Sequence, residues 1–164
     1  NSATPKDFIN AFKMSVVAVH SIIQAAMPLL EKAGKSNSGG ASIVNIASMY
    51  GLVSPDPSIY GKSGQNNPPF YGSAKAGLVQ YTRYAACHMA PKNIRVNCIS
   101  PGPFPLPQIA KRNPAFYKKL CQKNPMHRIG HSEELIGALL FLVSDAASYV
   151  TGSNIVVDGG WTAW

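Results

Sequence analysis

Ser48 and the run Tyr71-Gly-Ser-Ala-Lys75 are the residues whose types and spacing can do chemistry in this chain. On a helix, Tyr71 and Lys75 lie one turn apart on one face. An ammonium beside a phenol favours the phenolate, which makes the pair a proton donor and acceptor. Ser48 stands 23 residues before Tyr71, at the end of the apolar run Ile43-Val-Asn-Ile-Ala-Ser48. Its hydroxyl there can polarise a carbonyl. The same Tyr-x-x-x-Lys spacing also fits an amphipathic pair on a solvated helix, so the flanking elements must decide.

Those elements read as helices alternating with buried strands. Thr4-Pro5-Lys6-Asp7 has the cap, the first-turn proline and the acidic residue of a helix start, and apolar spacing continues the helix to Leu30. Gly34 to Gly40 reads as a polar turn. Ala41 to Ala47 and Ile94 to Ile99 read as fully buried parallel strands, and Asn154 to Val157 as a third. Leu52 to Phe70 is rich in Pro, Ser, Asn and Gly and reads as a long loop, with a helix following from about Ser73 to Met89. Asn113-Pro114 caps a short helix, and Ser132-Glu-Glu opens another through Leu142. This alternation predicts an α/β fold with a parallel sheet and helices on both faces.

The 164 residues are enough for one domain with a real core, and 46% hydrophobic against 13% charged argues against disorder. Fifteen Lys plus Arg against seven Asp plus Glu give a net charge of +8. The bases are scattered and not interleaved with aromatic residues, so no nucleic-acid partner is expected. Lys118-Lys119 and Arg112 read as a solvated helix face, with steering of an anionic substrate as the alternative. The longest uninterrupted apolar runs, such as Ile136 to Val143, are too short to span a bilayer, and no membrane partner is expected. Cys87, Cys98 and Cys121 are odd in number and widely spaced, which reads as reduced thiols in a cytoplasmic protein. His20, His88, His127 and His131 lack metal-ligand spacing, so no metal site is expected. Met49-Tyr50, directly after Ser48, can line a substrate pocket or pack in the core.

Four blocks in order make the whole chain resemble the short-chain dehydrogenase/reductase family. They are Ser42 to Ser48, Tyr71 to Lys75, Asn93-Ile-Arg-Val-Asn97-Cys-Ile-Ser-Pro101-Gly102, and Tyr149-Val-Thr-Gly152 leading to Val157-Asp-Gly-Gly160. The resemblance implies NAD- or NADP-dependent interconversion of a secondary alcohol and a ketone. It makes Tyr71 the general acid/base, Lys75 the partner of the nicotinamide ribose, and Ser48 the donor to the substrate oxygen. Ala47, Pro101 and Gly102 are implied as cofactor contacts, and Asn97 as a structural tie. It also implies a substrate-covering segment over residues 103–131 and a homo-oligomer, dimer or tetramer, formed through the helices Pro5 to Leu30 and Ser73 to Met89. The polar insert and Trp161 to Trp164 resemble members acting on sugars or sugar derivatives.

The chain departs from the family pattern at several points. Ser15 aligns with the Asn that holds a water in the proton relay. The Ser48-to-Tyr71 interval is about ten residues longer than usual, with an insertion within Leu52 to Phe70. Tyr60 lies nearer the usual interval, yet position 64 is Gly rather than Lys, which rejects Tyr60 as the acid/base. Leu106 stands where a carboxamide-contacting Thr is common. No G-x-G-x-x-G precedes a helix. The expectation is therefore the second half of a doubly wound Rossmann-like domain, a single partial domain over 1–164 without its dinucleotide-binding half. The rival reading is a non-catalytic truncated relative that serves as an interaction module or regulatory partner.

Overall fold

A computed structural model describes residues 3–36, 39–63, 65–105 and 108–164. Three parallel strands, β1 (Ala41–Ile46), β2 (Ile94–Pro101) and β3 (Asn154–Val157), form one sheet in the order β1-β2-β3. The register pairs Ala41 with Ile94 and Cys98 with Asn154. Helix α1 runs over Pro5–Ser36 and passes through a π-helical turn at Lys13–Val17. Thr4 caps it in a capping box with Asp7, as its sequence predicts. Helix α2 (Pro69–Met89) connects β1 to β2, and α3 (Pro114–Lys123) and α4 (Ile136–Val143) lie between β2 and β3.

Strand alternation sorts the helices onto the two faces. Ala41, Ile94 and Val96 pack with Ile23 of α1 and with Ala85, Ala86 and Met89 of α2. Ser42 and Arg95, facing the other way, both donate to the carbonyl of Leu142 in α4, each at 2.8 Å. Asn97 is fully buried. Its Nδ2 donates to the Val150 carbonyl at 2.8 Å, and its Oδ1 accepts from the Ser153 amide at 3.0 Å. It ties β2 to the turn that feeds β3, which is the structural role expected of it.

Several expectations shift. Helix α1 extends six residues past Leu30, carrying Pro28 inside it. Helix α2 starts at Pro69 rather than near Ser73, because Pro69 sits at its first position, where a missing N–H costs nothing. The long loop holds a 3₁₀ turn, Pro57–Tyr60, whose Ile59 is buried against Met49, Leu120 and Trp161. The uninterrupted apolar runs do not include the longest apolar helix. The 32-residue α1 is long and apolar enough by length and composition, with a mean hydropathy of 1.4 over its best window. Its apolar residues are spread among polar ones, so counting uninterrupted runs missed them. Leu106 lies outside the described residues, as does Gly64.

Replacing Asn97 with Ala removes both ties and leaves a buried carbonyl and amide unpaired. The expected loss is about 2 to 3 kcal/mol, read as a lower urea midpoint at unchanged slope.

Candidate active site

The carboxyl ends of parallel strands are where an open α/β sheet binds ligands, and the reactive residues gather there. Ser48 follows β1, Gly102 follows β2, and Tyr71 lies in the first turn of α2. Ser48 is buried and caps a 3₁₀ turn, Met49–Gly51, with its Oγ accepting from the Tyr50 amide at 3.2 Å. That turn rests on α2. A Cβ on Gly72 would stand 2.7 Å from the Tyr50 carbonyl oxygen, and one on Gly51 would stand 2.9 Å from the Lys75 carbonyl carbon. Only glycine tolerates backbone this close. The contact fixes Ser48 beside Tyr71.

Ser48, Tyr71 and Gly102 line one open cavity of about 270 Å³. Lys75, one turn along α2, sits with its Nζ 5.9 Å from the Tyr71 ring centre and donates to the Ile46 carbonyl at 2.9 Å. Burial lowers the pKa of this lysine. One of its three N–H groups reaches Ile46, which leaves donors for a ribose hydroxyl. Tyr71, Lys75 and Ser48 thus supply the donor set that the nicotinamide ribose and a substrate oxygen need, and the residues fit that end of NAD or NADP.

The remaining expected residues lie at the strand ends and on α1, and of these only Gly102 lines the cavity. Gly102 donates its amide to the Val157 carbonyl at 2.9 Å, and a Cβ on it would meet the Asp158 Cα at 2.5 Å. Ala47 and Pro101 close the ends of β1 and β2: the Ala47 amide donates to Ile99, and Pro101 pairs with Val157. Neither is among the cavity-lining residues. Ser15 lies on the π turn of α1 with a half-buried side chain and does not line the cavity either. π turns recur at functional positions.

Sequence reasoning missed part of the wall. Tyr60, Asn67, Phe104 and Phe116 line the cavity with Met49 and Tyr50. Met49 and Tyr50 serve both as lining and as packing around the core of Ile59, Leu120 and Trp161. Lys119, read as part of a solvated face, instead donates to the Ser58 carbonyl at 2.7 Å. Lys123 pairs with Asp56 at 2.9 Å and lies over the Trp161 ring. The available signal was the 116, 119, 120, 123 spacing of α3, which puts these side chains on one flank. Among the described residues, no group of three His, Cys, Asp or Glu side chains could hold a metal ion.

A sequence profile described as Enoyl-(Acyl carrier protein) reductase matches residues 1–162. The NADH-dependent L-xylulose reductase of Ambrosiozyma monospora is 35% identical over 159 residues, covering 94% of this chain and 56% of the relative. The cyclohexanol dehydrogenase of Acinetobacter sp. (strain SE19) is 41% identical over 125 residues, covering 76% and 45%. A crystal structure of a short chain dehydrogenase from Leptospira borgpetersenii with bound NAD+ superposes with a TM-score of 0.83 at 34% identity, covering 98% of this chain and 58% of that one. The chain spans about half the length of the curated relatives it matches.

Lysine's ordinary value is 10.5, and burial lowers that of Lys75, so between the two values the unfolded chain holds the proton more often. The resulting stability cost is largest below the folded value and is relieved as pH rises toward 10.5. In Lys75→Met, the change in urea midpoint between about pH 8 and about pH 10 should therefore show a smaller gain than in the parent.

Proposed function

The chain belongs to the short-chain dehydrogenase/reductase family, and from that premise we propose that it forms the catalytic and substrate-binding part of an NAD(P)-dependent oxidoreductase. The reaction is the interconversion of a secondary alcohol and a ketone. The observation that carries this reading is the convergence of Ser48 and Tyr71 on one cavity, with Lys75 one turn behind the phenol.

In that site Ser48 donates to the substrate oxygen and holds it at the phenol. Tyr71 takes the hydroxyl proton in oxidation and returns it in reduction. Lys75 stabilises the phenolate by its charge and offers its free N–H groups to the ribose hydroxyls. NAD or NADP, when bound, takes or supplies the hydride at the reacting carbon. Ala47, Pro101 and Gly102 are the backbone positions proposed to border the nicotinamide. Ser15 is proposed to seat the relay water, with a shorter reach than Asn. Segment 103–131, which contributes Phe104, Phe116 and Leu120 to the cavity, is proposed to cover the substrate.

The chain has no G-x-G-x-x-G phosphate loop, so the pyrophosphate cradle is proposed to come from residues beyond these 164, in the same polypeptide or a companion. Two features support that. β1 lies at the edge of the sheet, and Ile136, Leu140 and Val143 leave α4 with an apolar exposed face. Exposed Ile9, Met14, Val17 and Ile22 on α1, with Tyr84 on α2, support association of copies through these helices. The unpaired thiols of Cys87, Cys98 and Cys121 support a cytoplasmic setting. Relatives named for L-xylulose and for cyclohexanol bracket the substrate between a keto sugar and an alicyclic alcohol; the sugar reading rests on the former.

Tyr71→Phe in the native polypeptide should lower kcat by about 10²- to 10⁴-fold while leaving the folded state and its association intact. Undiminished turnover would remove Tyr71 from the chemistry. Association with no turnover in the parent itself would favour the non-catalytic module.

A further inference from the structure

One buried polar bond joins the strand before Ser48 to the helix of Tyr71 and Lys75. The Asn45 Nδ2 of β1 donates to the Thr82 Oγ1 of α2 at 2.9 Å, and that hydroxyl donates on to the Leu78 carbonyl at 2.9 Å. Thr82 is fully buried and Asn45 nearly so. Asn45 pairs in register with Cys98, and Cys98 packs with Ala47, Leu78 and Val79 in an apolar cluster. Neither Asn45 nor Thr82 lines the cavity. A Leu and a Val of similar volume would fill the same space with no polar group to satisfy, and replacing both partners of a buried bond together is close to neutral for stability.

A hydrogen bond differs from an apolar contact in having a direction. Gly51 and Gly72 limit how near the turn and α2 can come, and a limit on approach resists neither a slide of the helix nor a roll about its axis. A directed bond at Thr82 resists both. Tyr71, Lys75, Leu78 and Thr82 are four, three and four residues apart and share one face of α2. Thr82 is about 10 Å along the axis from Lys75. Consecutive residues of β1 hold the two: the Asn45 side chain holds Thr82, and the Ile46 carbonyl accepts from the Lys75 Nζ at 2.9 Å. A displacement of about 1 Å takes that lysine bond out of hydrogen-bond range. We propose that Asn45 and Thr82 are positioning residues that fix the roll and height of α2 on β1, so that Lys75 stands behind the Tyr71 ring within reach of a ribose. The role of Lys75 at the ribose rests on the oxidoreductase reading; its placement by Asn45 and Thr82 does not.

The test reads that placement without turnover, by magnetic resonance of the native polypeptide labelled with carbonyl carbon-13 isoleucine and nitrogen-15 alanine. These labels single out Ile-Ala steps, of which residues 1–164 hold two, 46–47 and 109–110. The Lys75→Met variant identifies the Ile46 carbonyl and shows where it resonates without its donor. In Thr82→Val the Ile46 resonance should move most of the way to that position, and in Thr82→Ser, which keeps the hydroxyl, it should stay with the parent. Asn97→Ala, which loosens the opposite face of the sheet, should lower the urea midpoint and leave the resonance in place. The double variant Asn45→Leu/Thr82→Val buries no unpaired group, so it should keep its fold and still show the moved resonance. No move in Lys75→Met, a parent-like resonance in the double variant, or an equal move in Asn97→Ala overturns the proposal. Turnover is followed separately: kcat should fall by about 10- to 100-fold in the double variant with KM for the alcohol little changed, and an undiminished kcat beside a moved resonance also overturns it. A moved resonance in a polypeptide whose parent shows no dinucleotide-linked oxidation would defeat the oxidoreductase reading and leave the positioning standing. Turnover in the parent with an unmoved resonance in the variants would do the reverse.

Discussion

Two glycine backbones, Gly51 and Gly72, set how closely the turn after β1 can settle on α2. The site exists because that approach is so short. A side chain at either position would meet backbone within 3 Å, and backbone cannot rotate away as a flexible side chain can. The consequence is mechanical. Ser48 follows a strand locked in register to β2, and Tyr71 sits in the first turn of a helix that the strand's own turn rests on. Two hydroxyls from distant parts of the sequence are thus held together by backbone rather than by a hydrogen bond between them. Preorganised donors of this kind need no rearrangement as charge develops on a substrate oxygen.

Segment 52–70 fits the same logic. Residues 52–70 connect Ser48 to Tyr71, and the turn–helix contact pins both ends of that connection. The segment is folded outward onto α3. A surface ion pair such as Asp56–Lys123 is worth little by itself. The clamp gains from the burial of Ile59 and the stacking of Tyr60 on Phe116, which add apolar contact to the polar ties. Through Tyr60 and Asn67 this segment is part of the pocket wall.

Much of this frame was legible in the sequence. Thr4-Pro5-Lys6-Asp7 announced the start of α1, the apolar runs announced the three strands, and Asn113-Pro114 announced α3. Each is a local signal with a local cause. Ser48, Tyr71 and Lys75 were legible through their motifs, and the structure brings Ser48 and Tyr71 to one cavity with Lys75 beside them. What escaped was non-local. Tyr60 and Asn67 lie in a stretch that reads as polar loop, and nothing in its composition says that Ile59 is buried or that α3 captures it. Lys119 and Lys123 look like any solvated pair until Ser58 and Asp56 are seen beneath them. The start of α2 escaped for a different reason: Pro68-Pro69 reads as a breaker, yet proline at the first helical position is a start signal. Only the end of α1 escaped: Pro28 reads as a stop, yet the helix carries it and runs on to Ser36.

The central claim is that Ser48 and Tyr71 together grip a substrate oxygen at the end of β1. Its most direct test is the carbonyl carbon resonance of cyclohexanone, labelled with carbon-13 at that carbon, in the non-reacting complex of the native polypeptide with oxidised dinucleotide. Two hydroxyl donors on the carbonyl oxygen predict a bound resonance displaced downfield of the ketone in water, with part of the displacement lost in Ser48→Ala and part in Tyr71→Phe. A bound resonance at the position of the free ketone, unaffected by either substitution, would contradict the account.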